Sequence, residues 1–139
     1  MIYPQPKPKR QPHAGEGLEK QCMRLWGEIV RIRAGGHCEY CGTSDQVQAH
    51  HVFTRSTGRT KYDPDNGCLL CSGHHFFVAH KNPLKFKEWL TEKRGQTWWT
   101  KLRMAANVRG KIDLKLLKIW LENEKADAIK RNHTVYTQM

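Results

Sequence analysis

The chain has 139 residues, of which 38% are hydrophobic, and a mean hydropathy of −0.76. Such a chain fits one domain with a modest core, and the few long apolar residues in its middle point to a structural metal in place of core. Lys and Arg outnumber Asp and Glu by 24 to 13, giving +11. That charge favours a polyanionic partner, with nucleic acid ahead of membrane because no segment carries a clear lipid-facing stripe. No apolar run approaches the roughly 18–20 residues that span a bilayer, and no signal-peptide core follows Met1, so a soluble cytoplasmic protein is expected. Five cysteines without an export signal argue for metal rather than disulfides.

Residues 1–16 hold four of the six prolines, with Lys7, Lys9 and Arg10 among them. They predict a solvated basic arm, and nonspecific phosphate contacts are its functional alternative. Residues 17–95 form the predicted core and 96–139 a helical extension. Within the core, Leu18, Cys22, Leu25, Trp26, Ile29 and Ile32 make one apolar stripe, so 17–34 is read as a helix closed by Gly35-Gly36. Cys22 lies on that stripe as a small buried hydrophobe.

A knuckle at 38–42, a strand near 46–53, a polar loop over 54–65, a strand near 67–70 and a helix from about 72 follow. Pro83 opens a helix to Arg94 with Leu84, Phe86, Trp89 and Leu90 as its apolar face. A further helix covers Thr97 to Val108. The last runs from an Asp113 cap towards Ile129. Trp26, Trp89, Trp98, Trp99 and Trp120 are read as core.

Residues 37–80 concentrate the chemistry, with four of the five cysteines and six of the eight histidines. Cys38-x2-Cys41 before Gly42, answered by a second x2 pair, is a strong zinc signature, because ligands three apart grip one ion from a single turn. The second pair is ambiguous. Cys71 with His74 completes three cysteines and a histidine; Cys68 with Cys71 completes four cysteines, which is tidier on spacing alone. Adjacent strand histidines point to opposite sides, so His50 and His51 divide between ligating a metal and taking a proton near pH 7. His74 and His75 repeat that adjacency where a helix begins.

The run Cys38-Glu39-Tyr40-Cys41-Gly42, Ala49-His50-His51-Val52-Phe53, Tyr62-Asp63-Pro64-Asp65-Asn66 and Leu69-Leu70-Cys71-Ser72-Gly73-His74-His75 resembles the HNH endonucleases. More narrowly it resembles their small phage-encoded members of the NinG/Rap recombination-nuclease kind. The resemblance covers about residues 25–95. It implies an α+β fold: a zinc-stapled ββα-metal core with flanking helices, holding one catalytic divalent ion (Mg²⁺, Mn²⁺ or another). His50 is then the first metal ligand, His51 the general base, Asn66 a brace for the loop and His75 the helix ligand. The same alignment assigns the staple to Cys38, Cys41, Cys71 and His74, and Cys68 to the strand core. Relatives with a third helix ligand usually carry it four residues after His75, where this chain has Ala79. His80 serves only if the helix is overwound or ends early.

The implied activity is hydrolysis of DNA phosphodiester bonds to 5′-phosphate and 3′-hydroxyl ends, in the host cytoplasm if the chain is phage-encoded. Arg55, Arg59 and Lys61 are the candidate DNA contacts. The alternatives are a noncatalytic zinc-ribbon nucleic-acid-binding module and a nuclease selective for branched DNA. Monomer and homodimer both fit, since one such site cuts one strand.

Overall fold

The computed structural model describes residues 16–53 and 58–137, with side chains in the last helix as far as Asn132. The expected basic arm lies outside the described residues except for Glu16, and so does Arg55.

Helix α1 (Leu18–Arg33) buries Cys22, Leu25, Trp26 and Ile29 of the stripe its periodicity marks, and Val30 outside it, while Leu18 and Ile32 at the ends of the stripe are half-buried. It stops where Gly35 and Gly36 take φ of 66° and 75°, and their N–H groups return to the carbonyls of Ile32 and Arg31. Strand β1 (Val47–His51) pairs antiparallel with β2 (Gly67–Cys71), His50 opposite Cys68 and His51 opposite Gly67. β1 is shorter than the alternation suggests. The Phe53 N–H donates to Asn66 Oδ1 at 2.6 Å and its carbonyl accepts from Asn66 Nδ2 at 3.1 Å, so a side chain takes the backbone groups that a longer ladder would need. Two 3₁₀ turns, Gly58–Tyr62 and Pro64–Asn66, bring the chain back.

After β2 comes a single turn, α2 (Ser72–His74), which widens into a π-helical turn, His75–His80. Asn82 precedes Pro83 and cannot stay helical, which ends that segment and begins α3 (Pro83–Arg94). α4 (Gln96–Ala106) and α5 (Leu114–Thr137) complete the chain. Asp113 Oδ1 accepts from the N–H groups of Lys115 and Leu116, capping α5 as its position predicts.

The two-stranded register sends Gln48, His50, Cys68 and Leu70 to one face and Ala49, His51, Gly67 and Leu69 to the other. α1 covers the second face, with Trp26 and Val30 against Leu69. A Cβ on Gly67 would stand 2.1 Å from Val30 Cγ2, so only glycine lets α1 lie this close. The first face packs with Ala79, Phe86 and Leu90. α5 lies along α1, and Leu121 joins Cys22, Leu25, Ile29 and Tyr62 in a second cluster. The fold is thus α+β, five α-helices around one two-stranded sheet among the described residues. None of these helices is long and apolar enough to cross a membrane.

Two expected core residues are not in the core. Leu84 is 68% exposed and Trp120 44% exposed. Trp26 is buried, while Trp89, Trp98 and Trp99 are half-buried.

Candidate metal centres

Cys38, Cys41, Cys71 and His74 bring one ligand atom each to within 4.8 Å of one another, a cluster able to hold a metal ion such as zinc. Cys41 and Cys71 Sγ are 3.8 Å apart. A tetrahedron built on Zn–S bonds of about 2.3 Å has an edge of about 3.8 Å, so the thiols already stand at ligating separation. His74 Nδ1 lies 3.1 Å from Cys71 Sγ and 3.9 Å from Cys38 Sγ.

The knuckle owes its shape to Gly42, at φ 79°, whose N–H returns to the Cys38 carbonyl at 2.8 Å. Burial raises the Cys38 pKa, but the N–H groups of Cys71, Cys41 and Tyr40 outweigh it and bring the thiol to about 6. The thiolate that a metal requires is therefore favoured.

Cys68 is not in this cluster. It is fully buried beside Leu70 and Leu90, and burial, then the Glu39 carboxylate, push its thiol pKa upward. The tidier four-cysteine spacing fails for a physical reason. Residues three apart share a side in a turn but fall on opposite faces of a strand, and Cys68 and Cys71 are both in β2.

Glu39, inside the knuckle, carries no signal in its spacing and matters through its partners. Its carboxylate accepts from Leu69 N–H at 2.7 Å and from Arg94 at 3.0 and 3.2 Å. The same Arg94 nitrogen donates to the Gly67 carbonyl at 2.8 Å. One charged pair thus ties the knuckle to β2 and α3. Burial raises the Glu39 pKa, but Arg94 and the Leu69 N–H more than reverse that and hold it below the usual carboxylate range.

A second cluster, His50, His75 and His80, also brings its ring nitrogens within 4.8 Å of one another. His75 and His80 Nε2 are 3.3 Å apart, against an edge of about 3.0–3.4 Å for ligands at about 2.1 Å from one ion. The helix neither overwinds nor ends before His80, contrary to what was expected to be necessary. It widens. In an α-helix residues five apart sit about 140° apart around the axis. The π turn holds more residues per turn, with Lys81 N–H bonded to Phe76 O at 3.2 Å, and so turns His80 back towards His75.

Burial first, then the neighbouring His75, His80 and His51, depress the His50 pKa to about 4. Burial and His80 lower that of His75. Both rings are neutral at pH 7, the form that ligates. The three line an open groove of about 460 Å³ together with His51, Trp26 and Met23.

His51 points to the other side of β1, and its ring lies flat on Trp26, with centroids 3.7 Å apart and planes 9° apart. Its Nε2 is 2.9 Å from the Lys61 carbonyl. A carbonyl only accepts, so Nε2 carries the proton and the lone pair is on Nδ1. Trp26 in turn donates its indole N–H to the Asp63 carbonyl at 2.8 Å, anchoring the turn that leads to Asn66. Asn66 is fully buried, and its Nδ2 also donates to the Thr60 carbonyl at 2.8 Å. With its two bonds to Phe53, it holds both ends of the loop that leaves β1. Nothing in the stripe on α1 distinguished Trp26 from its core neighbours; only its pairing with His51 does.

Of the candidate DNA contacts, Lys61 offers its carbonyl to His51 and its ammonium to the Tyr62 ring, 5.4 Å from the centroid. Arg59 is exposed and lines a different cavity, beside Tyr62 and Trp120. Compared with protein-family models, curated proteins and solved structures, the chain matches none.

Proposed function

We propose that this chain is a divalent-metal-dependent DNA endonuclease of the HNH type, its ββα-metal core formed by β1, β2 and the helical segment from Ser72 to His80. The carrying observation is the convergence of His50, His75 and His80 on one open groove, with His51 beside them in a fixed tautomer. His50, His75 and His80 would hold the ion, whose chemistry when bound is charge neutralisation at a phosphate and its leaving oxygen. His51 Nδ1 takes the proton of the attacking water. The Lys61 carbonyl stabilises the imidazolium that results, and Trp26 keeps the ring in plane. Asn66 holds the loop so that β1 presents both histidines. Cys38, Cys41, Cys71 and His74 would hold a structural zinc, which would clamp the knuckle to the start of α2.

An all-imidazole donor set favours Mn²⁺ and the later first-row ions over Mg²⁺, which prefers oxygen ligands. The net charge of +11 supports a nucleic-acid substrate. The test is nicking of supercoiled plasmid with Mg²⁺, Mn²⁺, Ni²⁺ or Zn²⁺. His51→Ala is expected to lower the rate by about 10²- to 10⁴-fold while zinc content and DNA affinity stay unchanged. Full activity in that variant removes the base assignment. DNA binding without nicking under any of the metals leaves a zinc-ribbon binding module instead.

A further inference from the structure

Phe76 and Phe77 stand 51% and 61% exposed in the π turn, between the candidate ligands His75 and His80. Single exposed apolar residues are ordinary on a protein surface. These two are in contact, with ring centroids 5.0 Å apart. A cation joins them: Lys81 Nζ lies 5.1 Å from the Phe76 centroid and 5.9 Å from that of Phe77. Their backbone is pinned as well. Asn82 Nδ2 donates to the Phe77 carbonyl at 3.2 Å, and the Lys81 N–H donates to the Phe76 carbonyl at 3.2 Å.

Charge indicates what this surface meets. From Asn66 to Lys87 the chain has no Asp or Glu, while Lys81, Lys85 and Lys87 are all exposed. None of the residues lining the histidine groove is acidic. Aromatic rings and ammonium groups beside an acid-free groove suit a strand that alternates flat bases with phosphates. The angle between the rings narrows the choice, since their planes are 86° apart. Base pairs in a duplex are parallel, so the two rings cannot both slide between them, and unstacking them is costly. Bases of an unpaired strand turn independently, and each can lie on a ring.

We propose that Phe76 and Phe77 form a base-stacking subsite for an unpaired stretch of DNA, with Lys81 on the adjoining phosphate. This rests on the reading of the groove as a DNA site and adds the state of the substrate there. Neighbouring Cα atoms are about 3.8 Å apart, close to the roughly 3.4 Å between successive nucleotides of one strand. A strand with a phosphate at His75 and His80 therefore has its next bases within reach of the two rings.

Fluorescence anisotropy of labelled oligonucleotides tests this on the full chain, with no divalent ion added beyond the zinc it carries. Phe77→Ala should weaken binding of a single strand roughly 5- to 100-fold and leave that of the matching duplex within about twofold. Phe77→Tyr keeps the π face and should bind as the parent does. Phe77→Leu keeps only apolar bulk and should fall with Phe77→Ala. Lys81→Gln should lower the slope of log affinity against log salt by about 0.7, the share of one single-strand phosphate. Helix content and zinc should be unchanged in all four, since both side chains are exposed.

A Phe77→Ala chain that binds the single strand as the parent does, or loses single strand and duplex alike, overturns the subsite. So does a Phe77→Leu chain with parental affinity, which would make the rings plain apolar surface. The nuclease reading fails separately. A parent that stacks unpaired bases but nicks no DNA with any metal keeps the subsite and sinks the nuclease. A parent that nicks plasmid while Phe77→Ala binds the single strand unimpaired does the reverse.

Discussion

The two metal-ligating clusters share one short stretch of chain, yet their chemistry differs at every point. His74 and His75 are adjacent, one turned to each. The cysteine cluster has four ligands, three of them sulfur, and Cys38 is favoured as thiolate by surrounding N–H groups. It closes on itself. The histidine cluster offers three imidazole nitrogens and faces a groove, so water or substrate would find open coordination positions. Closed four-ligand sites support folds, and open three-ligand sites perform chemistry. Backbone geometry makes the division: a tight turn at Gly42 for the first, a π turn for the second.

Breaking the closed cluster should have the largest effect. Cys38→Ala is expected to lose the bound zinc and to lower the melting temperature by roughly 10 °C or more, because metal binding at such a site is folding energy. Elemental analysis and a thermal melt measure both, and undiminished zinc would remove the staple. An intermediate effect is expected from His80→Ala. Titration calorimetry with Mn²⁺ should show the groove's affinity falling about tenfold, some 1.4 kcal/mol, with the zinc untouched. Unchanged affinity would reduce the groove to a two-histidine site.

The smallest effect is expected at Glu39, which belongs to neither cluster but steadies the knuckle. Glu39→Gln should cost about 1–3 kcal/mol at pH 7, read from the urea midpoint. The sign with pH follows from its lowered folded pKa. The carboxylate's contribution is present above the unfolded value of about 4.3 and is lost as pH falls through the folded one. The gap between parent and variant should therefore shrink in acid; a constant gap would mean that the Arg94 pair is not its source.

Much of the frame was legible because it is local. The stripe on α1, the Asp113 cap, the Pro83 start and the Cys38-x2-Cys41 knuckle each depend on residues within a turn or two of one another. The opposite aim of His50 and His51 follows from strand alternation alone. Periodicity went wrong where it marks an apolar position without saying what covers it. Trp120 and Leu84 have the spacing of core residues and stand in solvent.

The amino-acid sequence by itself determined which groups are available and which neighbours share a side: the soft ligands, the paired histidines, the helix ends. Only the tertiary structure decided which groups meet. It turned Cys68 inward and gave the fourth ligand position to His74, as the family resemblance implied and spacing alone did not. It widened one helical turn so that His80 rejoined His75, and it laid Trp26 under His51. The physical reason is common to all three. Strand faces, hydrogen-bond register in a helix and ring stacking across more than 20 residues are settled by packing between elements, which no local spacing encodes.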